Sequence, residues 1–241
     1  MNDNQIHPNC WLGHLPTVIN IQPEILSKYM KACLVVLTWL WIAAQPSAAS
    51  VTFSKLSAVD YERARKVAGK TTPIVTQPLK KIRGAFAIPT TQGQQVFRDF
   101  IIGAAQIKQG HSEEEHTSYT YGGYLPRFRR HVVKVTYYET SQWWLVAENG
   151  RRLTLWGPPV YAPDQNRVAT ICPGLEYSGG QPNALQLFQL KEGVLQKVWE
   201  MQPTSWEPEE IFWTSLTTLY LKREWYSGTA SGFSYWKLTI T

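Results

Sequence analysis

The densest grouping of metal-ligating side chains is His111, Ser112, Glu113, Glu114, Glu115 and His116. Its two imidazoles are five residues apart, whereas one helical face brings together residues three or four apart. With Gly110 and Thr117 on either side, the run reads as a solvated acidic loop, and no metal site is expected. Gly69, Lys70 and Thr71 end like a phosphate-binding loop, but Ala64 stands where that motif requires its first glycine. Carboxylates suited to acid and base work occur at Asp99, Glu139, Glu176, Glu207, Glu209 and Glu210. Sequence alone pairs no two of them at the separations of about 5 Å or about 6.5 to 9.5 Å that glycoside hydrolysis uses. Neither a Gly-x-Ser-x-Gly elbow nor a His-Glu-x-x-His helix is present. These patterns favour binding without catalysis and without a cofactor. The alternative is a glycan-acting hydrolase whose carboxylates come from separate loops.

Aromatic residues carry the candidate binding chemistry. The chain holds 11 Trp, 12 Tyr and 8 Phe, and each such ring buries about 150 to 250 Å². Most must be core. Adjacent Trp143 and Trp144 point to opposite faces of a strand, so one of them is expected near solvent or under another segment, and the pair is the leading candidate for a binding surface. The loop over 174–183 contributes Glu176 and Tyr177 as further candidates, since functional groups often ride on loops held by a rigid sheet. Two short basic runs, Leu79, Lys80, Lys81, Ile82, Arg83 and Arg127, Phe128, Arg129, Arg130, His131, fit strands with basic side chains outward and apolar neighbours inward. No nucleic-acid partner is expected from them.

These side chains need a scaffold. With 44% hydrophobic and 17% charged residues and a net charge of +6, the chain is far from the charge-rich composition of disordered segments. From Gly84 onward, short β-branched and aromatic runs alternate with Gly, Pro, Asn and Asp, which predicts strands. They are expected at 84–88, 95–101, 118–124, 131–139, 142–147, 152–156, 159–162, 167–171, 184–190, 194–199, 210–214, 218–223 and 234–240. The turn Glu148, Asn149, Gly150 is matched 43 residues later by Lys191, Glu192, Gly193, and Asn-Gly is the strongest short hairpin signal. Trp156 and Trp199 share that offset. A second match, between Pro159 to Ile171 and Ile211 to Leu221, has an offset of about 52, so any repeats have unequal loops. Between Val51 and Leu79 one short helix is read around Asp60 to Ala68, followed by an extended lead-in.

The stretch Val160 to Ile171 resembles the repeat of periplasmic WD40-like propellers related to the TolB family. In those repeats an apolar strand ends in a Ser-Pro-Asp-Gly turn; here Ala162, Pro163, Asp164 and Gln165 occupy it. The resemblance implies an all-β, antiparallel fold, a partial or small propeller. Blades of roughly 45 residues would leave room for only three or four. Two packed β-sheets are the alternative, with open edges covered by loops or by the N-terminal segment.

Ahead of this body, residues 32–44 form an apolar run after Met30 and Lys31. At about 1.5 Å per residue a helix there spans roughly 20 Å, short of a hydrocarbon core of about 30 Å. Ser47 and Ala49 supply the small side chains that a signal peptidase needs, which predicts cleavage after Ala49. The division expected is therefore an upstream extension at 1–29 from a start assigned too early, a signal peptide at 30–49, a helical and extended lead-in at 50–83 and a β-rich domain at 84–241. Beyond residue 49 the one thiol is Cys172, which excludes an internal disulfide there and a cysteine-based zinc site. The expectation is an exported or periplasmic protein with no stable membrane span, binding protein or carbohydrate at the cell envelope. Self-association through an open sheet edge is a third reading.

Overall fold

The computed structural model describes residues 49–174, 180–228 and 230–241, all within the compact unit Ser47–Thr241. The expected signal segment and the leader before it lie outside the described residues. No described helix is long and apolar enough to cross a membrane. The fold is all-β and antiparallel with few helices, as the alternation of the sequence implies.

Strand β1 (Val51–Leu56) and helix α1 (Ala58–Val67) come first, then a hairpin of β2 (Ala85–Thr90) and β3 (Gly93–Arg98). Helix α2 (Ala104–Lys108) and a 3-10 turn (Glu113–Glu115) lead into β4 (Thr117–Leu125), β5 (Arg130–Tyr137), β6 (Ser141–Ala147) and β7 (Arg152–Leu155). A second set follows: β8 (Val160–Tyr161), β9 (Arg167–Cys172), β10 (Ala184–Lys191) and β11 (Val194–Met201). The last strands are β12 (Trp206–Trp213), β13 (Thr218–Ser227) and β14 (Ala230–Ile240). The hydrogen-bonded order is β2-β3, β4-β5-β6-β7, β8-β9-β10-β11 and β12-β13-β14-β1.

The lead-in reading of residues 50–83 changes in one respect. Val51–Leu56 is a strand that pairs along β14, from Val51 opposite Ile240 to Leu56 opposite Tyr235. It completes the last sheet and covers an edge that β14 would otherwise expose. Its partner lies near the other end of the sequence, so no hairpin turn announces the pairing.

The sheets stack face to face through three apolar clusters among the described residues. Phe86, Ile88 and Phe97 of the hairpin meet Val133, Val135 and Val146 of the first four-stranded sheet. That sheet's opposite face, with Val132, Leu145 and Leu155, meets Val168, Phe188 and Leu195 of the second. The second sheet's other face, with Ala169, Leu185 and Leu187, meets Ile211, Trp213, Leu221 and Leu238 of the last. Period-2 alternation thus sends Val132 and Val133, or Leu145 and Val146, into different cores. In β10 the residues from Ala184 to Phe188 are all buried, because both faces are covered.

Helix α1 closes the far end of the stack. Ser57 caps its N-terminus by accepting from the Asp60 N–H at 3.1 Å, a standard start signal. Tyr61, fully buried, sets its ring against Phe212 and Tyr235 at 5.2 and 4.7 Å. Its hydroxyl donates to Glu210 Oε2 at 2.9 Å, while Arg65 Nε donates to Glu210 Oε1 at 2.8 Å.

Both sequence offsets acquire a structural meaning. The turns at 148–150 and 191–193 each join the third and fourth strands of successive sheets. The 52-residue match aligns the β8-β9 and β12-β13 turns, each between the first two strands of its sheet. The two Gly turns differ locally. Glu192 and Gly193 both have positive φ, as a two-residue loop demands. At the other turn only Gly150 does, because the Ala147 N–H donates to Arg151 O across a three-residue loop.

Candidate anion-binding cleft

The turns β4-β5, β6-β7 and β10-β11 emerge at one end of the stack and together border a cleft of about 670 Å³. Phe128 builds it from below. Its ring is buried in the core between the two four-stranded sheets and stacks near Tyr161 at 6.1 Å, which fixes the turn that carries Arg129 and Arg130. Arg151 and Arg152 enter from the first residues after Gly150. Four arginines and one glutamate, Glu148, therefore border the cleft.

Each arginine is held differently. Arg129 pairs with Glu148, donating from Nε to Oε1 at 3.2 Å and from Nη2 to Oε2. The Tyr124 hydroxyl also donates to Glu148 Oε1, at 2.8 Å. Hydrogen bonds from Arg129 and then Tyr124 hold the Glu148 carboxyl below its usual range. Arg130 is half-buried and donates only to carbonyls, Nη1 to Leu145 O at 3.2 Å and Nη2 to Leu195 O at 3.4 Å. Burial, and secondly the Arg151 charge, push its pKa down, so an opposite charge at this position would be favoured. Arg152 lies over the Trp144 ring at 4.3 Å. With the Gln95 amide oxygen turned toward it, as the hydrogen-bond network requires, it donates to that oxygen from Nη2 at 2.6 Å and Nε at 3.0 Å. The Arg151 guanidinium has no hydrogen-bond or ion-pair partner among the described residues.

Trp143 and Trp144 lie away from the cleft lining, and both are half-buried. Trp143 packs at the margin of the core facing the second sheet, with the Lys134 ammonium 5.3 Å from its ring. Trp144 packs on the hairpin side, 6.2 Å from Phe97 and 5.9 Å from Tyr119. Glu176 and Tyr177 lie outside the described residues. His111 Nδ1 sits 3.0 Å from Glu115 Oε2, and the Ser112 hydroxyl accepts from the Glu114 N–H at 3.2 Å, so this run caps and braces its own turn. Among the described residues no three His, Cys, Asp or Glu side chains gather as metal ligands would. Of the carboxylates noted in the sequence, Asp99 pairs with Lys81 at 2.5 Å and Glu210 with Tyr61 and Arg65. Cys172 is buried and its thiol is pushed up to about 11 by desolvation and then by Glu207, which leaves little thiolate for chemistry.

One basic-run residue departs from the outward expectation. His131 is 2% exposed, with Nδ1 2.8 Å from the Tyr121 hydroxyl, which itself donates to Gln77 O at 3.0 Å. Val133 and Val135 follow on the same face of this strand, and the imidazole takes an inward slot beside Tyr124, ring to ring at 4.8 Å. Burial pulls its pKa below the ordinary value, with the Glu148 charge opposing. The unfolded chain therefore takes up this proton at higher pH than the folded one. The stabilisation from neutral His131 is full above about pH 6.5 and is lost as the pH falls through the depressed folded value. Urea unfolding should show a fall in stability between about pH 7.5 and pH 5 that His131→Gln flattens. A variant with the wild-type pH slope would assign that loss to other groups.

The arginine cluster itself was not assembled from the sequence. Its halves are 22 residues apart, and only the neighbouring positions of two hairpin turns bring them together. The available signal was Arg-Arg directly after a Gly turn, with a second Arg-Arg at the start of a paired strand. No family model, curated protein or solved structure significantly matches the chain, so its functional reading rests on this geometry.

Proposed function

We propose that the protein is an exported, non-catalytic binding protein of the cell envelope that holds an anionic partner, carbohydrate or protein, in the arginine cleft. The observation that carries this reading is the grouping of four arginines with one glutamate around the cleft, with Arg130 bonded to carbonyls and Arg151 unpartnered among the described residues. Placing like charges together in a partly desolvated site is unfavourable unless an opposite charge joins them, and planar guanidinium groups match carboxylate, sulfate and phosphate oxygens.

Export is supported by the apolar run over 32–44 and the small residues before Ser50, immediately after which β1 begins. Ala49 donates its N–H to Val198 O at 3.3 Å and Ser50 donates to Thr241 O at 3.1 Å. A cut after Ala49 would remove the first of these bonds and keep the second. Successive four-stranded antiparallel sheets, the last completed by an N-terminal strand, support the partial-propeller reading. The Ala162 to Gln165 turn lies between strands of one sheet, as in TolB-related repeats, and Asp164 accepts the Asn166 N–H at 3.0 Å.

The purified full chain should be retained on immobilised polygalacturonate, eluted by molar sodium chloride, and should pass through neutral dextran unretained. Equal behaviour on both matrices would overturn the reading.

A further inference from the structure

The cleft does not end at Arg151. Through Asn149 and Arg151, which border both spaces, it meets a groove of about 460 Å³ formed by the β2-β3 and β6-β7 turns. The chemistry changes across this boundary. Side chains on the groove side are Thr90, Gln92, Gln94 and Gln95 together with Asn149 and Arg151, with no carboxylate and no aromatic ring. Their amides keep donors available. Asn149 Oδ1 accepts the Arg151 N–H at 3.1 Å, leaving its NH₂ group unused in that contact. Gln95, with its oxygen taken by Arg152, likewise turns its NH₂ elsewhere. Gln92 and Gln94 are exposed.

A single inorganic anion would leave most of this double space unfilled, since a water takes about 30 Å³. Amides arranged beside guanidinium groups suit a ligand that carries both hydroxyls and an anionic group, and repeats them along a chain. Resting on the arginine-cleft reading, we propose that the ligand is a linear acidic polysaccharide lying across the hairpin tips. An anionic sugar substituent sits at Arg130 and Arg151, and neighbouring sugar hydroxyls sit at Gln92, Gln94 and Asn149. Single-stranded nucleic acid fits less well, because such sites supply aromatic faces on which bases stack. Here Phe128 is buried and the Trp144 ring lies beneath Arg152.

The test is calorimetric titration of the full chain with galacturonate oligomers from monomer to hexamer, with inorganic phosphate and a single-stranded thymidine oligonucleotide as further probes. The proposal expects affinity to rise at least about tenfold from monomer to hexamer. The double variant Gln92→Ala/Gln94→Ala should lose about that factor for the hexamer and keep the monomer affinity. An oligomer of sulfated glucose that binds with the same length dependence would support the proposal and identify sulfate as an acceptable anionic group. Hexamer binding no tighter than monomer, or a double variant that binds the hexamer like wild type, would overturn the polysaccharide and leave a small-anion cleft. Tighter binding of the oligonucleotide would overturn it in favour of nucleic acid. Absence of binding to every anion tested would overturn the arginine-cleft reading as well.

Discussion

Trp144→Ala is expected to lower the unfolding free energy by about 3 kcal/mol, the low end for a large aromatic because the ring is only half-buried. In a domain of this size that corresponds to a fall of roughly 6 to 12 °C in the melting midpoint. The reason lies in how the sheets stack. Trp144 and its sequence neighbour Trp143 face different cores, one shared with the hairpin and one with the second four-stranded sheet. Removing the indole empties the space beside Phe97 and Tyr119 and takes away the ring over which Arg152 lies. Arg152 keeps its two bonds to Gln95, so the cleft should retain its charge. Thermal unfolding together with binding to polygalacturonate separates the outcomes. A stability change under about 1 kcal/mol combined with lost binding would make Trp144 a ligand contact and contradict its place between layers.

A second large effect is expected at Gly157, where the first four-stranded sheet hands the chain to the second. An added Cβ would fall 1.8 Å from Ile171 O and 2.9 Å from Ile171 C, so a backbone would have to move to admit it. Relaxation is restricted by Pro158 and Pro159, whose rings fix φ. Gly157 also donates its N–H to Thr170 Oγ1 at 3.0 Å in a buried setting. Gly157→Ala should therefore destabilise by about 3 kcal/mol or more. Gly69→Ala, where nothing lies within 4 Å of the added atom, serves as the comparison and should shift stability by no more than about 1 kcal/mol. Chemical unfolding of both variants checks the pair, and equal stabilities would contradict the close approach of the two chain segments. If Gly157→Ala yields no soluble protein while Gly69→Ala does, the expected ordering holds.

Strand texture was readable because it depends on local alternation. Each of the runs read from residue 84 onward overlaps a strand, and the two Gly turns sit between adjacent strands as their residues require. What local pattern could not convey was which faces are covered. A strand with one buried face would force one of two neighbouring tryptophans outward; a strand between two cores does not, and the unbroken buried run from Ala184 to Phe188 has the same cause. Strand β1 was missed for a different reason. Its residues are compatible with an extended lead-in, and the partner that makes it a strand is nearly 190 positions away, as the Thr52 to Thr239 contact illustrates. His131 shows the converse. Its type suggested the surface, but its place in the alternation put it inside, where Tyr121 satisfies the ring.

The candidate site was less legible than the fold. Arg129, Arg130, Arg151 and Arg152 are unremarkable as dipeptides, and basic residues near turns usually face water. Their grouping arises from stacking: the β4-β5 and β6-β7 turns end on the same side of one sheet, and the neighbouring sheet supplies the Leu195 carbonyl that holds Arg130 in place. The proposed partner class rests on that charge and on the amides beside it, both of which are properties of assembled turns.

The most direct test of the anion-binding account is the affinity of wild type and Arg151→Glu for hexagalacturonate at one low ionic strength. Glutamate there would place a carboxylate beside Arg130, neutralising the half-buried charge and repelling the ligand. A charge-assisted contact contributes about 1.5 to 3 kcal/mol, so loss of that contact predicts at least about tenfold weaker binding, and repulsion should carry it toward hundredfold. The fold should be unaffected, since the wild-type guanidinium has no partner among the described residues. Affinities within twofold of one another, with both proteins folded, would contradict the account.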